Sequence, residues 1–161
     1  MDPAWARAGL ASRAALIGAG YTDHRIAAAI EAGSLRRIRR GWFASRDADE
    51  RTVAAVAAGG RLSCSSALVR HGVWVLDGRV LHVAVPHGSH ARSDDLRRIH
   101  HGMLRAETTT GPVESALEAL ERMSFCASPL ETVIAADSAL EHGLVTMSQL
   151  ASILDRSRRA R

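Results

Sequence analysis

Residues 22–44, TDHRIAAAIEAGSLRRIRRGWFA, decide how the rest of this chain is read. Thr22 offers a side-chain oxygen to the free backbone N–H groups at a helix start. Ile26, Ala27, Ala29 and Ile30 then recur near helical spacing, which leaves His24 and Arg25 on the other face. Gly33 can adopt the left-handed conformation that commonly closes a helix. Beyond it Leu35 and Ile38 enclose Arg36 and Arg37, and Arg39-Arg40-Gly41 leads into Trp42-Phe43. This pattern predicts a small β-hairpin whose tight turn holds two arginines. A capped helix feeding an arginine-tipped hairpin is the layout of a winged helix-turn-helix. The helix, residues 22–32, would enter the major groove, and the wing, residues 35–44, would lie on phosphates or in the minor groove. The competing reading is a structural helix and hairpin with solvated arginines.

Charge placement and the upstream sequence favour the nucleic-acid reading. Residues 1–46 hold eight arginines (7, 13, 25, 36, 37, 39, 40, 46) against three acids (Asp2, Asp23, Glu31). Residues 47–161 hold thirteen arginines against fourteen acids, so the positive excess sits at one end, as a footprint for polyanions should. The chain has no lysine, so where the arginines stand is more informative than how many there are. Ser12 is placed to cap the segment RAALIGAG, which Gly18 and Gly20 interrupt before Thr22. Helix, glycine-bearing turn and capped second helix make a helix-turn-helix. Residues 2–8 read as an earlier short helix, with Pro3 near its start, Gly9 past its end and Trp5 anchoring it on the core.

The fold class expected is mainly α with small β-hairpins, α+β. A winged helix-turn-helix domain over 1–46 precedes a mixed α/β to α-helical domain over 47–161. Asp47 or Asp49 can cap a helix over 50–58, closed by Gly59-Gly60, and a further short helix spans 62–72. Residues 73–76 and 79–85 about Asp77-Gly78 predict a hairpin, ended by Pro86, with a return strand near 99–104. Apolar residues at helical spacing predict helices over 112–123, from Ser128-Pro129 to Gly143, and over 147–154 after Thr146. No apolar run is long enough to span a bilayer, and the first residues lack a signal-peptide layout. Two cysteines without a framework, Cys64 and Cys126, fit a reducing cytoplasm.

Three segments carry a family resemblance: GLASRAALIGAGYTDHRIAAAIEAGSLRRIRRGWFA (9–44), LSCSSALVRHGVWVLDGRVLHVAVPHG (62–88) and PLETVIAADSALEHGLVTMSQLASIL (129–154). The first resembles the N-terminal winged-helix domain of AbiE-type antitoxins of type IV toxin–antitoxin systems. It also looks like the region that precedes a Vsr-like endonuclease domain in a group of actinobacterial proteins. The resemblance implies DNA binding at the operon's own promoter, with a C-terminal part that neutralises or accompanies a toxin. It implies contacts from Thr22, His24, Arg25 and Ala28 on the helix, and from Arg36, Arg37, Arg39 and Arg40 on the wing. Arg25 is the candidate for a bidentate guanine contact, and the wing arginines for phosphates. Two features depart from the pattern. No segment with the acidic metal ligands of the nuclease is expected here, and TTTGPVESALEAL (108–120) lacks the arginine usual at that helix start.

No catalytic activity, metal or cofactor is assigned. His82, His87, His90, His100 and His101 gather in one region, and His87-x-x-His90 is spaced for two ligands of one metal, with His101 or Cys64 to complete the set. Without a Cys-x-x-Cys pair they read as polar loop histidines. Cys64 with His71 lacks an orienting acid for nucleophilic chemistry. Glu114, Glu118 and Glu121 read as a solvated helix face. The leading expectation is therefore a DNA-binding regulator of antitoxin type, with double-stranded DNA, a cognate toxin and a second copy as partners. The alternatives are a toxin-binding antitoxin or adaptor acting through acidic helices 112–155, and the DNA-targeting region of a Vsr-like endonuclease.

Overall fold

The computed structural model describes residues 9–102 and 111–159. The helix predicted over residues 2–8, with Trp5, lies outside them. The described residues form seven helices and two three-stranded sheets, an α+β arrangement.

Strand β1 (Leu10–Ser12) runs directly into helix α1 (Arg13–Gly18). Ser12 caps that helix, accepting the Ala15 N–H at 3.1 Å. Gly20, at φ +86°, then turns the chain into helix α2 (Asp23–Glu31). Strands β2 (Leu35–Arg39) and β3 (Trp42–Ser45) form an antiparallel hairpin, and β1 joins the free edge of β3 to give the order β1-β3-β2. The tight turn is Arg40-Gly41, so only one of the two arginines expected there lies in it; Arg39 ends β2. Because a strand's side chains alternate between faces, Ala11 and Phe43 meet Leu16 and Ile26 under α1 and α2, whereas Leu10, Trp42 and Ala44 face the opposite way.

Helix α3 (Glu50–Ala57) covers that opposite face with Val53 and Val56. Asp49 starts it by accepting the Thr52 N–H at 2.7 Å. Ala55 of the same helix packs on the second sheet, among Leu62, Val83 and Val85. There β4 (Arg61–Leu62) pairs antiparallel with β5 (Leu81–Val85), and β5 pairs parallel with β6 (Arg97–His101). A Cβ on Gly60 would fall 2.2 Å from the Ala84 carbonyl oxygen, so the chain can pass this close to β5 only without a side chain.

The hairpin expected about Asp77-Gly78 does not form; residues 73–80 belong to no strand. Local turn chemistry loses here to tertiary partners. Val73 is buried among the helices, and the Trp74 N–H donates to Ser138 Oγ at 3.0 Å. The carbonyls that a ladder would have used are taken by side chains: Arg51 donates to Gly78 O at 2.6 Å and to Val80 O at 2.9 Å. Strand β5 pairs instead with β4 and β6. The strand expected near 99–104 corresponds to β6, one or two residues earlier in its described part.

Helices α4 (Cys64–Arg70), α5 (Ala116–Cys126), α6 (Pro129–Glu141) and α7 (Met147–Arg159) share the largest apolar cluster, built on Leu68, Leu120, Met123, Ala135, Ala139 and Ile153. Helix α5 begins later than residue 112 because the preceding residues run extended beside β4. The Leu62 N–H donates to Pro112 O at 2.8 Å, and the Glu114 N–H to Leu62 O at 2.9 Å. Ser115 with Glu118 and Ser128 with Glu131 form reciprocal caps at the starts of α5 and α6. Helix α7 continues past the expected residue 154. No described helix is long and apolar enough to cross a membrane.

Candidate nucleic-acid interface

Helix α2 is held by its buried side and its start. Ile26 is buried and Ile30 partly so, both against the α1–sheet cluster of Leu16 and Phe43. Thr22 Oγ1 accepts the Arg25 N–H at 3.2 Å, so this hydroxyl is committed to capping. Arg13 spans from α1 to Asp23 in the first turn of α2 through two bonds, Nε–Oδ1 at 2.8 Å and Nη2–Oδ2 at 2.5 Å. This bond from Arg13 holds the Asp23 carboxyl below the usual carboxylate range. At the other end Arg46 Nε donates to Gly33 O at 2.7 Å, closing the helix C-terminus. His24, Arg25 and Ala28 are left on an exposed face.

The strand register divides the hairpin arginines. Arg37 lies opposite Phe43, on the α2 side of the sheet, with its guanidinium 5.8 Å from the Phe43 ring centre. Arg36 lies opposite Ala44 and Arg39 opposite Trp42, on the α3 side. Arg36 forms an ion pair with Glu50, the first residue of α3. Arg39 Nη1 reaches Gly59, just past the end of α3. Arg40 stands at the tip, in the turn. The eight residues named from the sequence are all exposed, yet they do not form one surface. Arg37 lies on the α2 side of the hairpin, while Arg36 and Arg39 turn away toward α3.

Arg25 is not extended into solvent. Its guanidinium lies over the Tyr21 ring, 5.0 Å from the centre, and Nη1 reaches Gly20 O at 3.5 Å. An exposed cation–π contact of this kind is worth about 0.5–1 kcal/mol, small enough to be exchanged for a stronger partner. Two residues outside the sequence-derived set, Arg13 and Arg46, position α2 rather than face a ligand. Their only signal in the sequence is their place in the basic N-terminal stretch.

No known family model matches the chain. None of the curated proteins compared with it matches either.

Four acids of the helical region are used within the chain. Glu114, read from the sequence as part of a solvated helix face, instead precedes α5 and is 1% exposed. It accepts from Arg122 Nη2 at 2.8 Å and from Ser63 Oγ at 2.5 Å. Glu121 pairs with Arg156 at 2.7 Å, and Glu118 and Glu131 serve the reciprocal caps. His71 Nε2 lies 2.7 Å from Glu114 O, so it serves that backbone. His87, His90 and His101 are exposed and lie in no ligand-like cluster among the described residues.

Proposed function

We propose that this chain is a sequence-specific DNA-binding regulator of antitoxin type, with α2 as the recognition helix and β2–β3 as the wing of a winged helix-turn-helix. The observation that supports this most is the exposed face of α2 with His24, Arg25 and Ala28, the apolar side of the same helix being fixed on Leu16 and Phe43 and Arg37 lying on the α2 side of the hairpin. An α-helix with its side chains is about 10–12 Å across, which suits a major groove about 12 Å wide. In this reading Arg25 leaves Tyr21 and takes a guanine edge, a bidentate pair worth about 1–3 kcal/mol of discrimination. His24 and Ala28 line the same groove face. Thr22 contributes by capping the helix, whose N-terminal N–H groups favour a phosphate nearby. Arg37 and Arg40 neutralise phosphates and supply affinity with its salt dependence.

For a toxin-neutralising role of residues 112–155 the acids left exposed are Asp137, Glu141 and Asp155, since Glu114, Glu118, Glu121 and Glu131 already have partners within the chain. The test is binding of the full chain to its own upstream DNA and to scrambled DNA, beside Arg25→Ala and Arg37→Ala/Arg40→Ala. Arg25→Ala is expected to lower the preference for the upstream site, whereas the double variant weakens both DNAs together. Equal affinity of the folded wild type for both DNAs would sink the proposal.

A further inference from the structure

Cys64, His82, His100 and Cys126 come from four different elements and meet at one point. Cys64 is the first residue of α4, Cys126 the last of α5, and the histidines lie on β5 and β6. In the parallel register Ala84 lies opposite His100, so His82, two residues before Ala84, projects from the same face of the sheet as His100. The two rings stack with centres 5.2 Å apart. His82 Nδ1 and His100 Nε2 are 3.0 Å apart, and Cys126 Sγ is 3.8 Å from His82 Nδ1. One donor atom from each of the four residues lies within 4.8 Å of every other.

We propose that these four side chains bind a single zinc-class divalent cation in a closed, structural tetrahedral site. With Zn–N bonds of about 2.0–2.1 Å and Zn–S bonds of about 2.3 Å, the edges of such a tetrahedron are about 3.3 Å between nitrogens and about 3.6 Å between nitrogen and sulfur. The two separations above, 3.0 Å and 3.8 Å, sit beside those values. Two thiolates and two imidazoles are the donor set that tetrahedral zinc favours. A two-iron cluster would need its thiolate and imidazole pairs held farther apart, whereas here all four donors crowd one centre.

The backbone adds an independent sign. Cys64, at φ +49°, is the one non-glycine residue with positive φ among those described. A side-chain-bearing residue keeps that conformation when its surroundings demand it, and such strain gathers at functional sites. A cleft of about 390 Å³ opens beside the site, lined by His100, Cys126, Glu121 and Phe125, and gives an ion a route inward. All four positions are filled by protein, which marks the site as structural rather than catalytic. Its effect is to clip α4, the second sheet and α5 together. The inference does not depend on the DNA reading.

The test is metal content of the full chain purified without chelator, followed by cobalt titration of chelator-treated protein under reducing conditions. Stoichiometric zinc is expected, as are the visible bands of tetrahedral, thiolate-bound cobalt. Cys126→Ser and His100→Asn should lose both, whereas His90→Asn keeps both. Chelation should lower the melting temperature of the wild type, and added zinc should restore it. Because the wild type is itself titrated, a variant that fails to fold leaves the result decisive. Folded, reduced wild type that takes up neither zinc nor cobalt overturns the proposal, as does full uptake by Cys126→Ser.

Discussion

On the proposed DNA-binding reading, replacing Glu50 with glutamine is expected to strengthen binding, although Glu50 lies on α3 and not on α2. Arg36 is tied to Glu50, and the two side chains are 49% and 72% exposed. An ion pair so exposed holds at most about 1 kcal/mol, so releasing Arg36 to a phosphate gains up to about fivefold in affinity. Each added phosphate contact steepens the dependence of log K on log salt by about 0.9, or about 3.5-fold over the fourfold range from 50 to 200 mM. The assay is equilibrium binding to the upstream DNA across that salt range, for wild type, Glu50→Gln, Arg36→Ala and the double variant. Glu50→Gln should bind more tightly at low salt with a steeper slope, and the double variant should forfeit that gain. Loss of an acid from the first turn of α3 lowers stability by about 0.3–1 kcal/mol, which a melt of each variant records. An unchanged slope in Glu50→Gln would refute the reasoning, because it would show that the α3 side of the hairpin stays away from phosphates.

Three further outcomes follow from the packing. Arg122→Met strands the buried Glu114 carboxylate and should destabilise the fold by about 3–5 kcal/mol, with part of the loss recovered in Glu114→Gln/Arg122→Met; urea unfolding of both variants measures it. Gly60→Ala drives a methyl against Ala84 O and the Val83 and Val85 side chains, and should lower stability by about 1–3 kcal/mol in the same assay. The Asp23 carboxyl, held low by Arg13, should titrate by NMR below the usual value of about 3.9 and return toward it in Arg13→Ala. Since its folded pKa is the depressed one, the support it gives the α1–α2 junction is present above that range and is lost as pH falls through it.

What the sequence revealed follows the reach of its interactions. Ser12, Thr22, Asp49 and Ser128 act within three residues of themselves, and each caps a helix. The order of helices and the β2–β3 hairpin were therefore legible. Asp77-Gly78 misled because the carbonyl of Gly78 is claimed by Arg51, a partner far away in the chain that no local pattern marks. The division of the hairpin arginines depends on the β-bulge between Arg37 and Arg39, which sets which arginine faces α2. The meeting of Cys64 with Cys126 was illegible for the same reason. It requires β6 to lie parallel to β5 and α5 to end beside them, whereas histidine spacing pointed to His87 and His90.

Helix α3 carries a consequence for dissecting this protein. Its Val53 and Val56 close the face of the first sheet that bears Leu10 and Ala44, while Ala55 serves the second sheet. A fragment cut at Arg46 would keep every residue proposed to meet DNA and still present the Leu10 and Ala44 face of its own sheet to water, an invitation to aggregate. Carrying the cut past Ala58 retains the cover. The smallest portion able to fold alone is thus longer than the smallest portion able to touch a ligand, and α3 is the difference.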